Sequence, residues 1–348
     1  MLPFITRKIT YGILVLIGVV VVVFFLFQGF GDPARLVLGQ RGDSATIKNI
    51  RKELALDEPK WKQFFLYLND VSPVSVYTSA DIKQKELKGY FIGGETKLGI
   101  KLPYFRRSYQ TRKDVGSLLW EALPGTILLA VAAMLLATVV GILLGVLAAV
   151  KQNTWMDTSS VFASVLGISA PSFFMGIVLA YLFGFVLAPY TGLHMTGSLF
   201  DTDPFTGRHL QLKNLVLPAI TLGIRPLAII TQLTRSAMLD ILDQDYIRTA
   251  YAKGLTKKTV VFKHALRNAL NPVITAITGW FAELLAGAFF VEYIFGWKGI
   301  GKVTVDALEK LDFPVVMGSV LVTAGFFILI NILADILYGI VDPRVRIH

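Results

Sequence analysis

The sequence predicts an all-α membrane protein with six transmembrane helices, cytoplasmic N- and C-termini and a large extracytoplasmic segment between helices 1 and 2. The 348 residues are 54% hydrophobic and only 17% charged, whereas soluble domains carry about 25% charged residues. The apolar excess is concentrated in six runs, and a helix of about 20 apolar residues is long enough to cross a bilayer. These runs cover residues 11–30, 122–150, 159–188, 214–233, 272–295 and 315–341.

The first apolar run has features of a signal peptide and of a retained membrane helix. Arg7 and Lys8 precede it, which is typical of both. The apolar stretch from Ile9 to Phe27 is longer than the core of a signal peptide, and no clean Ala-x-Ala cleavage site follows it. We therefore expect residues 1–30 to form a retained first transmembrane helix.

Lysine and arginine in the short loops predict the orientation, because cytoplasmic loops are enriched in both. With the N-terminus inside, the inner segments carry Arg7, Lys8, Lys151, Arg235, Arg248, Lys253, Lys257, Lys258, Lys263, Arg267, Arg344 and Arg346. The short outer loops carry Arg208, Lys213, Lys298, Lys302 and Lys310. Both termini are therefore expected in the cytoplasm. Loops facing anionic lipid account for the net charge of +10, so no nucleic-acid partner is expected.

The six runs divide the chain into four parts. Residues 1–30 are the first transmembrane helix, and residues 31–119 are an extracytoplasmic segment with short helices. Residues 120–341 are a five-helix core with a long cytoplasmic loop over 234–271, and residues 342–348 are a cytoplasmic tail.

Two short helices are predicted within the extracytoplasmic segment. The first has a serine cap and three aliphatic residues on one face: Ser44, Ile47, Ile50 and Leu54. The second begins after Pro59 and repeats large apolar residues at helical spacing: Trp61, Phe64, Phe65 and Leu68. We expect this segment either to pack as a small cap on the outer ends of the spans or to dock a protein partner.

The composition argues against several kinds of site. The chain has no cysteine, which excludes disulfides and thiolate sites, and its four histidines are scattered without ligand spacing. The predicted spans hold no paired catalytic carboxylates and no Ser/His set. We therefore expect no catalytic residue, no metal site and no cofactor site, and an intramembrane enzyme is disfavoured.

The stretch FGWKGIGKVT, residues 295–304, is close to the phosphate-binding pattern G-x-x-x-x-G-K-[ST]. A phosphate loop follows a buried strand and carries a hydroxyl after its lysine. Here an apolar membrane run precedes the stretch, and Val303 follows Lys302. The stretch also falls on the outer face, where ATP is absent. We expect no nucleotide site, and we expect the glycines to let the chain turn sharply as it leaves the bilayer.

The longest inner loop, residues 233–273, has the pattern of two short amphipathic helices around a glycine. Gly254 breaks the periodicity, and Thr256 can cap the second helix. The apolar positions are Met238, Leu239, Ile241, Leu242, Tyr246, Ile247 and Ala250, and then Val260, Val261, Leu266 and Leu270. From the pattern alone, this loop can lie on lipid or insert into a groove of a partner protein.

Two stretches of this loop, DYIRTAYAKGL and HALRNALNP, resemble the EAA loop of permease subunits of ABC importers, in the form of the dipeptide, oligopeptide and nickel branch. Ala250 and Gly254 match the last alanine and the glycine of E-A-A-x-x-x-G, whereas Arg248 and Thr249 replace its glutamate and first alanine. Further similar stretches are GDPARLVLG, SAPSFFMG, VEYIFGWKGIGK and ILYGIVDPRVR, so the resemblance covers most of the chain. Residues 72–108 depart from the pattern by an insertion.

The resemblance implies a permease subunit of an ATP-driven importer of di- or oligopeptides or similar solutes in the bacterial cytoplasmic (inner) membrane. It implies three kinds of protein partner: a second homologous permease in a heterodimer, two ATP-binding cassette ATPase subunits, and an extracytoplasmic solute-binding protein. Segment 31–119 is expected to contact the binding protein. Membrane lipid is the further expected partner.

The resemblance also makes residues 234–271 the loop that couples the permease to the ATPases. The residues expected to couple are Asp245, Tyr246, Ile247, Arg248, Ala250, Lys253, Gly254 and Leu255. Tyr246, Ile247 and Ala250 share a helix face, so we expect them to be buried by the ATPases. Gly254 is expected to turn the chain back.

A self-contained secondary transporter or channel is the alternative function. Such proteins usually show inverted repeats, or broken helices with ionisable groups at the midplane. Six spans with no obvious repeat favour the importer subunit. Arg225 and Glu283 nevertheless lie within predicted spans. Because a charge there costs about 2.5–3.5 kcal/mol on insertion scales, we expect these residues either to pair with each other or to line the pathway.

Overall fold

The computed structural model describes residues 2–28, 51, 56–203 and 207–341. These residues are predominantly helical. The helices are α1 Leu2–Gln28, α2 Lys60–Val71, α3 Ser79–Gln84, α4 Val115–Val150, α5 Trp155–Ser169, α6 Ser172–Tyr181, α7 Ala188–Thr191, α8 Lys213–Leu242, α9 Asp245–Ala252, α10 Lys257–Thr259, α11 Leu266–Gly287, α12 Phe289–Ile294, α13 Ile300–Glu309 and α14 Phe313–Val341. The strands are β1 Val74–Thr78, β2 Gly89–Gly93, β3 Thr96–Lys101, β4 Phe200–Asp203 and β5 Gly207–Leu210, and π-helical segments cover Leu182–Val186 and Val260–Ala265.

The chain divides into two compact units. The first, called the core unit, comprises Met1–Ile9, Pro124–Lys302 and Phe326–His348. The second, called the sheet unit, comprises Thr10–Leu123 and Val303–Gly325.

Helix α8 is the centre of the core unit, where α5, α6 and α11 pack against it. Glycines let α4 approach α8 closely. A β-carbon at Gly145 would lie 2.5 Å from the Cβ of Thr234, and one at Gly223 would lie 2.9 Å from the carbonyl oxygen of Ala133. Small residues at such crossings let two backbones pack tightly within a membrane.

Four helices in the described part of the chain are long and apolar enough to cross a membrane: Thr6–Phe27, Val115–Val150, Lys213–Leu242 and Phe313–Ile336. The bent pair α5 and α6 supplies a fifth candidate. The remaining apolar run, 272–295, folds into α11 and the short α12 with a break at Ala288. Polar residues such as Asn271 and Glu283 make α11 less apolar than the other long helices.

The run 159–188, expected as one span, is broken in the structure. Helices α5 and α6 meet at an angle of 110°. Ala170 between them is extended, with φ −77° and ψ 131°. Pro171 explains the break, because a proline lacks the backbone N–H and disfavours helical geometry in the residue before it.

The prediction of an all-α fold is wrong for the inserted residues 72–108. They contain a three-stranded antiparallel sheet in the order β1-β3-β2, in which Leu98 pairs with Val76 on one side and Ile92 on the other. Strands β4 and β5 form a separate hairpin. The stretches VSVYT and TKLGIK alternate apolar and polar or small residues, which is the strand period.

Asp70, at the end of α2, ties the sheet to that helix. Its buried carboxylate lies 2.6 Å from the Lys85 ammonium and 3.0 Å from Nε of Arg106, and it accepts a hydrogen bond from the Tyr77 hydroxyl at 2.8 Å. Lys101 of β3 donates to the backbone carbonyl of Asp70. Burial opposes ionisation of Asp70, but Arg106 and Lys85 outweigh it, so its pKa is lowered. Burial lowers the pKa of Lys101 to about 8.

Helix α2 forms after Pro59 as expected, and Phe64 and Leu68 of the predicted face pack against an apolar cluster, but the fully buried face is rotated from the predicted one. Gln63, Tyr67 and Asp70 are buried, whereas Trp61 and Phe65 are exposed. Two sets of contacts orient the helix. Tyr67 packs with Phe24 of α1, and the Gln63 amide donates to the carbonyls of Leu56 and Glu58. The helix predicted from Ser44, Ile47, Ile50 and Leu54 lies outside the described residues.

Replacing Asp70 by asparagine should destabilise the sheet by about 3 kcal/mol, because removing one partner leaves buried cations uncompensated. Hydrogen–deuterium exchange of β1–β3 in the full-length protein measures this loss. Glu86→Gln is the matched control, since it removes only the exposed pair with Arg107 and should cost less than about 1 kcal/mol. Equal protection in both variants would contradict the anchoring role of Asp70.

Candidate functional site: the loop 234–271 and its neighbours

The loop 234–271 presents a short helix, α9, between two turns. Helix α8 ends at Leu242, and the extended Gln244 (ψ 146°) precedes α9. After α9, Gly254 has a φ of +79°, and no atom lies within 4 Å of the position its Cβ would take. The backbone conformation, rather than lack of space, therefore requires glycine here. This agrees with the predicted turn at Gly254.

The inner face of α9 corrects the expected contact surface. Ile247 is 1% exposed and Ala250 is 6% exposed. Both pack in an apolar cluster of the same chain, with Val146 of α4, Met238 of α8 and Val261. Their burial against the chain's own helices makes them an anchor for α9, so the expectation that ATPase subunits bury them is wrong. Spacing alone shows that two residues share a face, not which molecule covers it.

The outer face of α9 is open. Its exposed residues, with those of the turn that follows, are Asp245, Tyr246, Arg248, Thr249, Tyr251, Ala252, Lys253 and Leu255. The hydroxyl of Tyr246 accepts a hydrogen bond from the Asn268 amide at 3.0 Å. Arg248 lies 3.4 Å from Asp245, and both are strongly exposed. The outer face therefore combines aromatic and charged groups available to a partner.

The second half of the loop packs against the inner face of α9. Thr256 caps α10 by accepting a hydrogen bond from the backbone N–H of Thr259, as predicted. The π-helical segment that follows buries Val260, Val261 and Ala265 in the same cluster as Ile247. The two amphipathic elements therefore bury their apolar faces against each other and the core.

A partly buried ion pair lies near this loop, and the sequence did not predict it. Nε and Nη2 of Arg235 lie 2.5 Å and 2.8 Å from the two carboxylate oxygens of Asp157. Asp157 also accepts from the backbone N–H of Asn153 at 3.0 Å. This bidentate contact joins the start of α5 to α8. Two parallel hydrogen bonds restrict the relative orientation of the two helices as well as the distance between them. The two residues are 78 positions apart, and no local pattern connects them.

The glycine stretch 295–302 surrounds a carboxyl group that belongs to the chain itself. The carboxylate of Glu292 is fully buried and accepts from the backbone N–H groups of Gly301 at 2.7 Å and Lys302 at 3.2 Å. A β-carbon at Gly299 would lie 2.3 Å from this carboxylate. The backbone N–H groups that resemble a phosphate cradle are therefore occupied by an internal carboxylate. This supports the expectation that the stretch is no nucleotide site.

The ionisable residues within the predicted spans do not form the pair considered above. Arg225 and Glu283 are both exposed on the isolated chain, and the ion pairs found among the described residues include none between them. The broken helix pair lies close to Arg225, since a β-carbon at Gly167 would lie 3.0 Å from Cγ2 of Ile224. In the described residues, no cluster of three His, Asp or Glu side chains could hold a metal ion.

Replacing Gly254 by alanine should destabilise α9 and its turn by about 1–2 kcal/mol, the cost of a left-handed backbone for a residue with a β-carbon. Gly279→Ala is the matched control, because Gly279 also has open space around it but lies in helix α11 with no positive φ. There, alanine should be neutral or slightly stabilising. Hydrogen exchange of α9 and thermal unfolding of both variants measure the difference. Unchanged protection of α9 in Gly254→Ala would contradict the strain argument.

Comparison with known proteins agrees with this architecture. Residues 141–347 match the family model described as "Binding-protein-dependent transport system inner membrane component", and residues 1–130 match the model of its N-terminal region. Two solved structures of the MetNI methionine ABC transporter in inward-facing conformations cover 65% of this chain and 97% of their own. Their TM-scores are 0.50 and 0.51 at 18% and 20% identity, a likeness of fold.

Full-length relatives are more similar. The dipeptide transport system permease protein DppB of Escherichia coli K12 is 38% identical over 366 residues, covering 99% of each chain. DppB of Alkalihalophilus pseudofirmus is 35% identical over 361 residues, covering 99% of this chain and 100% of the relative. The glutathione transport system permease protein GsiC of E. coli K12 is 32% identical over 348 residues, covering 99% of each chain. The chain therefore belongs to the family of binding-protein-dependent transport system inner membrane components.

Proposed function

We propose that this chain is the transmembrane permease subunit of an ATP-driven importer that takes up di- or oligopeptides. The relatives named above are dipeptide and glutathione permeases, and glutathione is itself a small peptide. The observation that carries the proposal is helix α9, which is anchored by Ile247 and Ala250 and open on its other face. A rigid element of this kind can transmit a conformational change from a cytoplasmic motor into the membrane.

The proposed topology has six spans, with both termini on the cytoplasmic side of a bacterial inner membrane. The excess of lysine and arginine in the loops on the N-terminal side supports this orientation. Helix α11 is the proposed fifth span, and the broken pair α5 and α6 is the third. Residues 31–119 are then extracytoplasmic, residues 120–341 hold the remaining five spans, and residues 342–348 are a cytoplasmic tail.

The proposed assembly contains a second, homologous permease, two ATPase subunits and an extracytoplasmic binding protein. Net import requires the permease to alternate between inward- and outward-facing conformations, so an energy source must shift the equilibrium between the two. Energy for this bias would come from the separate ATPase subunits. The binding protein would contribute most of the selection among solutes.

The ATPase contact is proposed for the outer face of α9, with Tyr246, Arg248, Tyr251 and Lys253 around the small Ala252. The inner face is already packed in the permease, so a force applied to the outer face reaches α4 and α8 through Ile247 and Ala250. Gly254 keeps α9 at a fixed angle to the rest of the loop. This combination of an exposed face and a buried anchor suits a coupling helix better than a helix that rests on lipid.

Replacing Ala252 by tryptophan should weaken ATPase binding, because a large side chain overpacks a closely fitting groove by about 1–3 kcal/mol, which corresponds to about 5- to 150-fold in affinity. Co-purification of the ATPases and the ATP hydrolysis stimulated by loaded binding protein measure the effect. Gln152→Trp, in the exposed turn between α4 and α5, is the control and should retain both activities. Wild-type retention and stimulation in Ala252→Trp would exclude this face as the contact.

Arg225 and Glu283 are proposed to line the passage and to meet the charged ends of a zwitterionic peptide. Both are exposed on the isolated chain and unpaired with each other, which supports this reading over an internal structural pair. A charged group within the membrane is stable only where it faces water, protein or solute.

The variants Arg225→Leu and Glu283→Leu should each reduce peptide uptake while the complex still assembles. The double variant should also assemble and should not recover uptake, because neither end of the peptide regains its partner. Uptake by reconstituted complexes and size-exclusion chromatography measure the two properties separately. Normal uptake by the double variant would show that neither residue makes an important contact with the solute.

A further inference from the structure

One face of the three-stranded sheet is apolar and uncovered. The outward side chains form two rows across the strands. They are Val74, Ile100 and Tyr90 in one row and Val76, Leu98 and Ile92 in the other. All six are exposed, with Tyr90 at 88% and Ile92 at 82%. A contiguous apolar patch of this kind on a folded protein marks a binding surface.

The opposite face of the sheet holds it in one orientation. Ser75, Tyr77 and Lys101 point to that side and are buried. Tyr77 and Lys101 bind the carboxylate and the backbone carbonyl of Asp70, respectively. Because turning the sheet over would break these contacts, the apolar rows must face away from α2.

The sheet unit places this sheet close to the level at which its helices enter the membrane. Phe27 ends one candidate span and Phe313 begins another, and their ring centroids are 5.2 Å apart. Phe105 packs beside Gly318, which is five residues after Phe313 along α14. A β-carbon at Gly318 would lie 3.2 Å from the Cβ of Phe105. Lys101, the last residue of β3, is four residues from Phe105 and therefore within about 13 Å of it.

Helix α2 marks the same level with aromatic residues. Phe64 of α2 stacks on Phe25 near the end of α1, with ring centroids 6.1 Å apart. On its neighbouring surface, Trp61 and Phe65 are exposed. An exposed tryptophan such as Trp61 is typical of the boundary between acyl chains and headgroups, because its ring is apolar and its N–H is polar.

We propose that the apolar face of the sheet rests in the headgroup–acyl boundary of the outer leaflet, so that residues 72–108 are a lipid-seated anchor. Residues 72–108 carry seven Lys and Arg against three Asp and Glu, and the exposed Lys88 adjoins the apolar rows beside Tyr90. Anionic phospholipid matches both features, because acyl chains cover the aliphatic rows and phosphates face the ammonium groups. The inference rests on the topology of the proposed function, which puts this segment outside the cytoplasm.

The bilayer fits this surface better than the binding protein does. A binding protein docks and leaves in each transport cycle, so it would leave six large apolar side chains in water between encounters. The lipid is always present. The sheet also lies near the boundary marked by Phe27 and Phe313, since Lys101 of β3 is only four residues from Phe105.

Spin labels test the proposal, because the chain has no native cysteine. Ile92→Cys and Ile100→Cys place a nitroxide on the apolar face, and Gln84→Cys places a control on the exposed end of α3. The full-length complex is measured in nanodiscs of phosphatidylglycerol and phosphatidylethanolamine. Power saturation with oxygen and a water-soluble nickel chelate should place the two face labels about 5–10 Å below the phosphates. The control label should remain open to nickel.

Two results would overturn the proposal. Face labels as accessible to nickel as the Gln84 label would place the sheet in water. Face labels that become protected only after addition of the system's own binding protein would assign the surface to that protein. Because each replaced side chain is already exposed, these variants should keep the wild-type fold, which peptide uptake verifies.

A further label separates failure of this inference from failure of the proposed function. Gln152→Cys lies in the exposed turn between α4 and α5, and a membrane-impermeant thiol reagent should reach it from the side opposite that of the Gln84→Cys control. Labelling of positions 84 and 152 from the same side would contradict the proposed topology and the anchor with it. Correct sidedness and normal uptake combined with water-exposed face labels would reject the anchor alone.

Discussion

The close contact between α4 and α8 is the constraint on which the core unit depends. Gly141 and Gly145 of α4 and Gly223 of α8 leave no room for a β-carbon at the crossing. Lipid is as apolar as the side chains it replaces, so helices in a membrane associate through such packing rather than through hydrophobic burial alone. With α8 held in this way, α5, α6 and α11 pack around it, and its end carries the loop 234–271 in a defined direction.

Buried carboxylates fasten the irregular parts of both units. In the core unit, Asp157 binds Arg235, and Glu292 accepts from the backbone of the glycine stretch. In the sheet unit, Asp70 gathers the cations around the sheet, and Asp312 accepts from the backbone N–H of Tyr109 at 2.9 Å. Each carboxylate replaces water for donors that would otherwise be unpaired, which is the condition for burying a loop or a charge.

The loop 234–271 combines rigidity with an open surface. Its apolar residues form one cluster with the ends of α4 and α8. Moving α9 away from the core would expose that cluster to water, which opposes independent motion of α9. Its aromatic and charged residues remain outside that cluster. The two faces of α9 therefore have different roles. Ile247 and Ala250 on the inner face attach α9 to the core, and the outer face is the proposed contact with the ATPases.

The sequence by itself determined that the chain is a helical membrane protein, that Gly254 turns the loop, that Thr256 caps a helix and that a helix rather than a strand precedes the glycine stretch. Local period, proline, glycine and capping chemistry decide these features. The tertiary structure decided which side of α9 is buried, which face of α2 packs, and which residues pair across long distances, such as Asp157 with Arg235. A helical pattern defines a face, but only the neighbouring elements determine what covers it. The sheet in 72–108 was readable from its alternation in VSVYT and TKLGIK, yet its uncovered face followed only from the position of Asp70, which holds the opposite face against α2.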